Sequence, residues 1–232
     1  MKNRPPPFDY SKVVYSGRPF AHRLSRHLLV LVLRTLVRLE VEGLERLPSD
    51  RAYVLAANHL HALDPAIGLL LVPGRVVGVV KEKWNRAPFR WVLRAMSDVV
   101  FVGSSNRRAL DAATAQLTAG AVVAILPEGT RSRTGVMGQG HRGVARLAAR
   151  AQVPVVPACA FGQERAAASW RRMRRVRVRV RIGEALAPPR PGAGKSELLR
   201  YTDEVMLAIA ALLPDAYRGA YAERSVAKRG RA

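Results

Sequence analysis

Two short runs without a single charge, Tyr53–Ala57 (YVLAA) and Ala121–Leu126 (AVVAIL), set the tightest limit on what this chain can fold into. Uninterrupted apolar runs of strand length, bounded by polar and turn-forming residues, read as strands buried in a core. Arg75–Val80, Asp98–Val102, Val153–Pro157 and the strictly alternating Val176–Ile182 (VRVRVRI) read as further strands. Helical patterns lie between them: one opening at Pro65, a stretch carrying Trp84 and Trp91, Arg107–Ala119 stopping at Gly120, Gly143–Ala151 and Ser196–Leu213. Strands alternating with helices predict an α/β fold, a mixed but largely parallel central sheet flanked by helices.

Ahead of this pattern, residues 19–39 have helical spacing, with Arg23, Arg26, His27, Arg34 and Arg38 set against Leu24, Leu28, Leu31, Leu33 and Leu36. An N-terminal amphipathic helix of this kind either lies in a lipid headgroup plane or packs on the core with a solvated arginine face. No apolar run reaches the roughly 18 residues that a membrane-spanning helix needs, so neither a span nor an export signal is expected. The expected organisation is a basic, membrane-associating arm and helix over 1–40, one domain over 41–222 and a basic tail over 223–232.

Charge narrows the partners. Lysine and arginine number 39 against 17 acidic residues, a net charge of +22, which draws the chain to polyanions: nucleic acid, anionic lipid or phosphorylated ligands. Aromatic residues make up only 6% and no zinc-finger spacing occurs, so nucleic acid is not the expected partner. The single cysteine, Cys159, excludes an internal disulfide and a cysteine metal cage, and reads as core filling. No metal site is expected. Arg177, Arg179 and Arg181 fall on one face of the alternating strand, either as a charged guard on an exposed edge or as a surface for lipid or cofactor phosphates.

The chemistry concentrates in two segments that follow strands, where open α/β sheets carry their sites. In Asn58–Pro65 (NHLHALDP), His59 and Asp64 are five apart, which a continuous helix would place on different faces. Pro65 suits the first helical position, so Asp64 is expected to cap the helix while the intervening turn folds its carboxylate back to the imidazole. A carboxylate on one ring nitrogen leaves the other free to accept a proton. His61 competes with His59 by composition alone. In Leu126–Ser132 (LPEGTRS), Gly129 permits a tight backbone, Arg131 offers a forked donor, and Thr130 and Ser132 add hydroxyls. Taken alone, this stretch reads first as an ordinary polar turn. No Gly-x-Ser-x-Gly elbow is present.

Together these segments resemble the 1-acylglycerol-3-phosphate acyltransferases, the PlsC-like glycerolipid acyltransferases. Asn58, His59 and Asp64 match the Asn-His-x4-Asp box, and Pro127–Ser132 match the Phe-Pro-Glu-Gly-Thr-Arg-Ser box with Leu126 in place of Phe. Val153–Pro157, Phe161-Gly162 and Arg181–Glu184 are also similar, and order and spacing agree from about residue 41 to 221. The resemblance implies transfer of a fatty acyl group from acyl-CoA or acyl carrier protein to the free hydroxyl of a lysophospholipid, foremost 1-acylglycerol-3-phosphate, giving phosphatidic acid. It implies His59 as general base oriented by Asp64, Glu128, Gly129, Thr130 and Arg131 as acceptor-binding residues, and no cofactor beyond the thioester co-substrate. It further implies peripheral attachment to an anionic membrane at the cytoplasmic face. One box departs: Gly103 stands where the family has a phosphate-holding arginine, with Arg107 or Arg108 as substitutes, so a different lipid acceptor is the alternative.

Overall fold

The computed structural model describes residues 20–224, apart from 73, 104 and 105. Residues 1–19 of the expected basic arm and 225–232 of the basic tail lie outside these residues. Seven strands form one sheet: β1 (Val37–Glu42), β2 (Val54–Ala57), β3 (Val76–Lys81), β4 (Asp98–Val102), β5 (Val122–Ile125), β6 (Val155–Phe161) and β7 (Val176–Ile182). Their order is β1-β7-β6-β2-β5-β3-β4. Every neighbouring pair is parallel except β6 with β7. The helices are α1 (Phe20–Leu36), α2 (Asp64–Leu71), α3 (Phe89–Met96), α4 (Asn106–Thr118), α5 (Gly143–Ala151), α6 (Ala166–Arg171) and α7 (Lys195–Leu212).

The central strands are apolar throughout because both faces are covered. Val54 and Ala56 of β2 face a core built with α4, α5 and α7, whereas Tyr53 and Leu55 face a second core containing α2 and Leu33 of α1. Val54, Val123 and Val155 are fully buried, each worth about 1.5–3 kcal/mol relative to exposure. A polar residue at either parity would enter one core or the other.

Three features differ from the sequence expectation. The first helix stops at Leu36, and Val37–Glu42 form a strand that crosses the expected boundary at residue 40. Nothing local ends the helix. The alternation of Val37, Leu39 and Val41 with Arg38, Glu40 and Glu42 is instead captured by β7, whose alternation matches it residue for residue. Second, β7 is flanked by β1 and β6 and is no exposed edge. Its valines are buried, while Arg177 and Arg179 converge on the buried Glu40 carboxylate at 3.5 and 3.1 Å, joined by Arg38 at 3.6 Å. Arg181 pairs with Glu42 at 3.0 Å. These arginines are thus taken up in holding β7 to β1. Third, β6 runs four residues past Pro157, and the short α6 follows it.

Candidate active site

The parallel strands β2, β5 and β6 end side by side, so the loops after Ala57, Ile125 and Phe161 meet at one rim of the sheet. The histidine loop comes first. Asn58 is buried and works as a surrogate strand residue: its amide donates to the Ala160 carbonyl at 2.9 Å and accepts from the Ala160 N–H at 2.8 Å. This fixes where β2 ends and where the next residue, His59, begins.

Asp64 is the first residue of α2, with Leu63 at the cap and Pro65 inside the first turn. Its carboxylate does not cap the helix. It turns back into the preceding bend, where Oδ2 accepts from His59 Nδ1 at 2.9 Å and from the N–H groups of Leu60 and His61 at 2.8 Å each. The bend is therefore wound around the carboxylate, and the imidazole is held as one more donor. The Asp64 side chain is 3% exposed and that of His59 18%, so the pair is sheltered with its histidine side open. His59 Nε2 carries no partner among the described residues. The His61 ring takes no part, since its nitrogen accepts the Leu63 N–H at 3.3 Å.

The second loop clamps the first. Glu128 is buried and points inward: Oε1 accepts the His59 N–H and Oε2 the Gly138 N–H, both at 2.8 Å. Burial pushes the Glu128 carboxyl above the ordinary glutamate range, and the two backbone donors work against that rise. The Ser132 N–H donates to the His59 carbonyl at 2.8 Å, so both ends of the His59 peptide are bound by the β5 loop. Each segment, an ordinary turn on its own, supplies the partners that the other needs. Gly129 holds φ +64°, and a side chain there would press within 3.2 Å of the His141 ring.

Thr130 and Arg131 are exposed on this loop, and the Thr130 hydroxyl donates to the Arg131 carbonyl at 3.2 Å. The Arg131 guanidinium forms no ion pair among the described residues and stands free for an anion. Arg107 is exposed at the start of α4, at the same rim but beyond β4. Two strand spacings, about 10 Å, separate β4 from β5, so Arg107 flanks the loops. Gly103 directly follows β4; among the described residues a side chain there would be in ordinary contact with the Glu82 side chain, at 3.5 Å. Cys159 is buried in the core, where burial pushes its thiol up to about 12, so it fills space. Among the described residues no group of His, Cys, Asp and Glu is placed to hold a metal ion.

Sequence reasoning misses Gln163. It is fully buried, and its amide donates to Asp64 Oδ1 at 2.8 Å and to the Ala160 carbonyl at 3.1 Å. The chain His59–Asp64–Gln163 thus joins the β2 loop to the β6 loop. Its only signal is a polar residue just past a buried strand.

Known proteins resemble this chain in sequence and in fold. Residues 38–160, more than half of the chain, match the family profile described as Acyltransferase. Over 148 residues the chain is 31% identical to 1-acyl-sn-glycerol-3-phosphate acyltransferase alpha of Homo sapiens, covering 61% of this chain and 52% of that protein. Over 128 residues it is 29% identical to the 1-acyl-sn-glycerol-3-phosphate acyltransferase of Borreliella burgdorferi, covering 52% and 50%. The chain spans about half the length of these relatives. The crystal structure of the 1-acyl-sn-glycerophosphate (LPA) acyltransferase PlsC from Thermotoga maritima superposes with a TM-score of 0.61 at 25% identity, over 83% of this chain and 76% of that one. A profile that runs from β1 through β6 and a neighbour sharing the same mixed sheet place this chain in the acyltransferase family, as a PlsC-like member.

Proposed function

We propose that this protein transfers a fatty acyl group from a thioester, acyl-CoA or acyl carrier protein, to the free hydroxyl of a lysophospholipid, foremost 1-acylglycerol-3-phosphate. The observation that carries the reading is the His59 Nδ1–Asp64 contact at 2.9 Å, which leaves Nε2 open beside the loop of Arg131. Nε2 takes the hydroxyl proton as the oxygen attacks the thioester carbonyl. The new C–O bond forms, the tetrahedral intermediate collapses with cleavage of the C–S bond, and the imidazolium returns the proton to the departing thiolate. Asp64 keeps the ring oriented and stabilises its charged form. The Gly129 N–H is occupied by the Leu126 carbonyl, whereas those of Thr130 and Arg131 form no hydrogen bond among the described residues and are the oxyanion donors in this reading. Arg131, and Arg107 from the flank, pair with the acceptor phosphate. Glu128 contributes by bracing the His59 peptide, and Gly129 by letting the loop bend.

The placement is peripheral, on an anionic membrane at its cytoplasmic face. No helix of the described residues is long and apolar enough to cross a membrane, and α1 presents Leu24, Leu28, Leu31 and Val32 outward. A second acceptor is favoured by one observation: Gly103 leaves open the place where the resemblance calls for an arginine. A panel of lysolipid acceptors with labelled acyl-CoA tests the activity and ranks them. His59→Ala is expected to stay folded and lose at least ~100-fold in acyl transfer. A folded variant with near-normal turnover on the preferred acceptor refutes the assignment.

A further inference from the structure

The end of α6 carries a side chain that its backbone disfavours. Met173 holds φ +52° and is 95% exposed. Its N–H donates to the Trp170 carbonyl at 2.9 Å, and those of Arg172 and Arg174 both donate to the Ser169 carbonyl at 3.0 Å, so the turn is a closed helix cap. Glycine is usual at such a left-handed position. A large apolar side chain is kept there, strained and in water.

Its neighbours point to what it meets. Arg171, Arg172, Arg174 and Arg175 flank it, all exposed. Arg175 turns back to the Val37 carbonyl at 2.7 Å, while Arg171, Arg172 and Arg174 form no ion pair among the described residues. The turn is also fastened to the end of α1, where Trp170 Nε1 donates to the Leu36 carbonyl at 3.0 Å. An apolar side chain flanked in sequence by exposed arginines therefore sits on a turn tied to the end of α1, where Leu36 is itself exposed. The register of β7 sets the turn at the working end of the sheet. Phe161 at the end of β6 faces Arg179, so residues 176–178 and the turn before them project past β6 on the side of the His59 loop.

We infer that the 171–175 turn is a membrane-insertion tip. Met173 enters the acyl region of an anionic bilayer, the three free arginines take lipid phosphates, and the rim bearing His59 is brought to that surface. A nucleic acid would satisfy the arginines but gives Met173 and the α1 leucines nothing apolar to enter. The inference uses the lipid reading of the site only to explain why this rim should meet a bilayer.

The test is flotation of the full chain with vesicles of equal parts phosphatidylcholine and phosphatidylglycerol, and with phosphatidylcholine alone. Met173→Gly relieves the backbone and is expected to melt no lower than the parent, yet to partition roughly tenfold less into the mixed vesicles at both low and high salt. Arg172→Gln with Arg174→Gln is expected to lose roughly thirtyfold at low salt and little at high salt. Partitioning of Met173→Gly equal to the parent overturns the inference, and so does equal binding of the parent to neutral vesicles. Arginine-dependent binding of a duplex oligonucleotide with no vesicle partition overturns it in favour of nucleic acid. Turnover on a short-chain, freely soluble lysophospholipid is measured in parallel and should be unchanged in Met173→Gly. If the parent lacks that turnover while flotation follows Met173, the enzymatic reading fails and the insertion tip stands.

Discussion

Glu128→Gln separates bracing from acceptor contact, because glutamine keeps the shape of the side chain and changes one atom's role. The carboxylate meets two N–H donors, His59 and Gly138, each at 2.8 Å. Glutamine offers one acceptor oxygen and one NH2, so one of those donors must face another donor. A hydrogen bond to a charged group contributes about 1.5–3 kcal/mol, part of which is offset because the variant no longer buries a charge. The net loss of stability near neutral pH is expected at about 1–2 kcal/mol. Turnover should fall further, about tenfold to a hundredfold, since a loosened His59 peptide displaces the imidazole. The pH dependence follows from the raised carboxyl. A group whose folded value lies above its unfolded one contributes stability that is fully present below the unfolded value and is lost as pH rises through the folded value. The variant lacks this titration, so its deficit against the parent should narrow as pH rises above the ordinary glutamate range and through the raised folded value. Urea melts at several pH values and steady-state turnover check both parts. Equal stability together with turnover within twofold of the parent would refute the bracing role.

Gln163→Met removes a donor to Asp64 but also a buried Oε1 that has no partner. Stability should fall by only about 1 kcal/mol, while kcat drops about tenfold with the acceptor KM unchanged; a matching rise in KM counts against a positioning role. Arg131→Ala should raise the acceptor KM about tenfold and leave the melting temperature in place, as it is exposed and unpaired; unchanged acceptor saturation argues against phosphate pairing. Gly162→Ala puts a Cβ 2.4 Å from the Arg177 carbonyl at φ +100°, and a urea melt should register a loss of about 3 kcal/mol. A variant as stable as the parent would mean that the β6 and β7 loops are not so closely packed.

The central strands were legible because burial on both faces leaves an uninterrupted apolar run, as in Tyr53–Ala57 and Ala121–Leu126. β1 was hidden because it follows α1 with no glycine or proline between, and its partner is distant in the chain. The second half of β6 was hidden because Pro157 reads as a stop and Ala158–Ala160 have weak strand preference. The meeting of His59 and Asp64 could be read from a bend closed by proline. Two interactions could not. The inward turn of Glu128 and the reach of Gln163 to Asp64, across 69 and 99 residues, depend on strand order, which local spacing does not encode. The arginines of β7 misled for the same reason, since their carboxylates sit on a strand the pattern concealed.

The pairing of β1 with β7 has a temporal side. Arg179 reaches Glu40 across 139 residues of chain, and among the described strands β1 pairs with β7 alone. During synthesis at about 5–20 residues per second, α1 and β1 wait about 7–28 s before their partner exists. In that interval Leu29 and Leu33 of α1 have no sheet to lean on, and on the proposed attachment lipid is the apolar phase within reach. Under the membrane attachment proposed above, the nascent chain would settle on the bilayer first and shut its sheet there, so that address and architecture are acquired in one event.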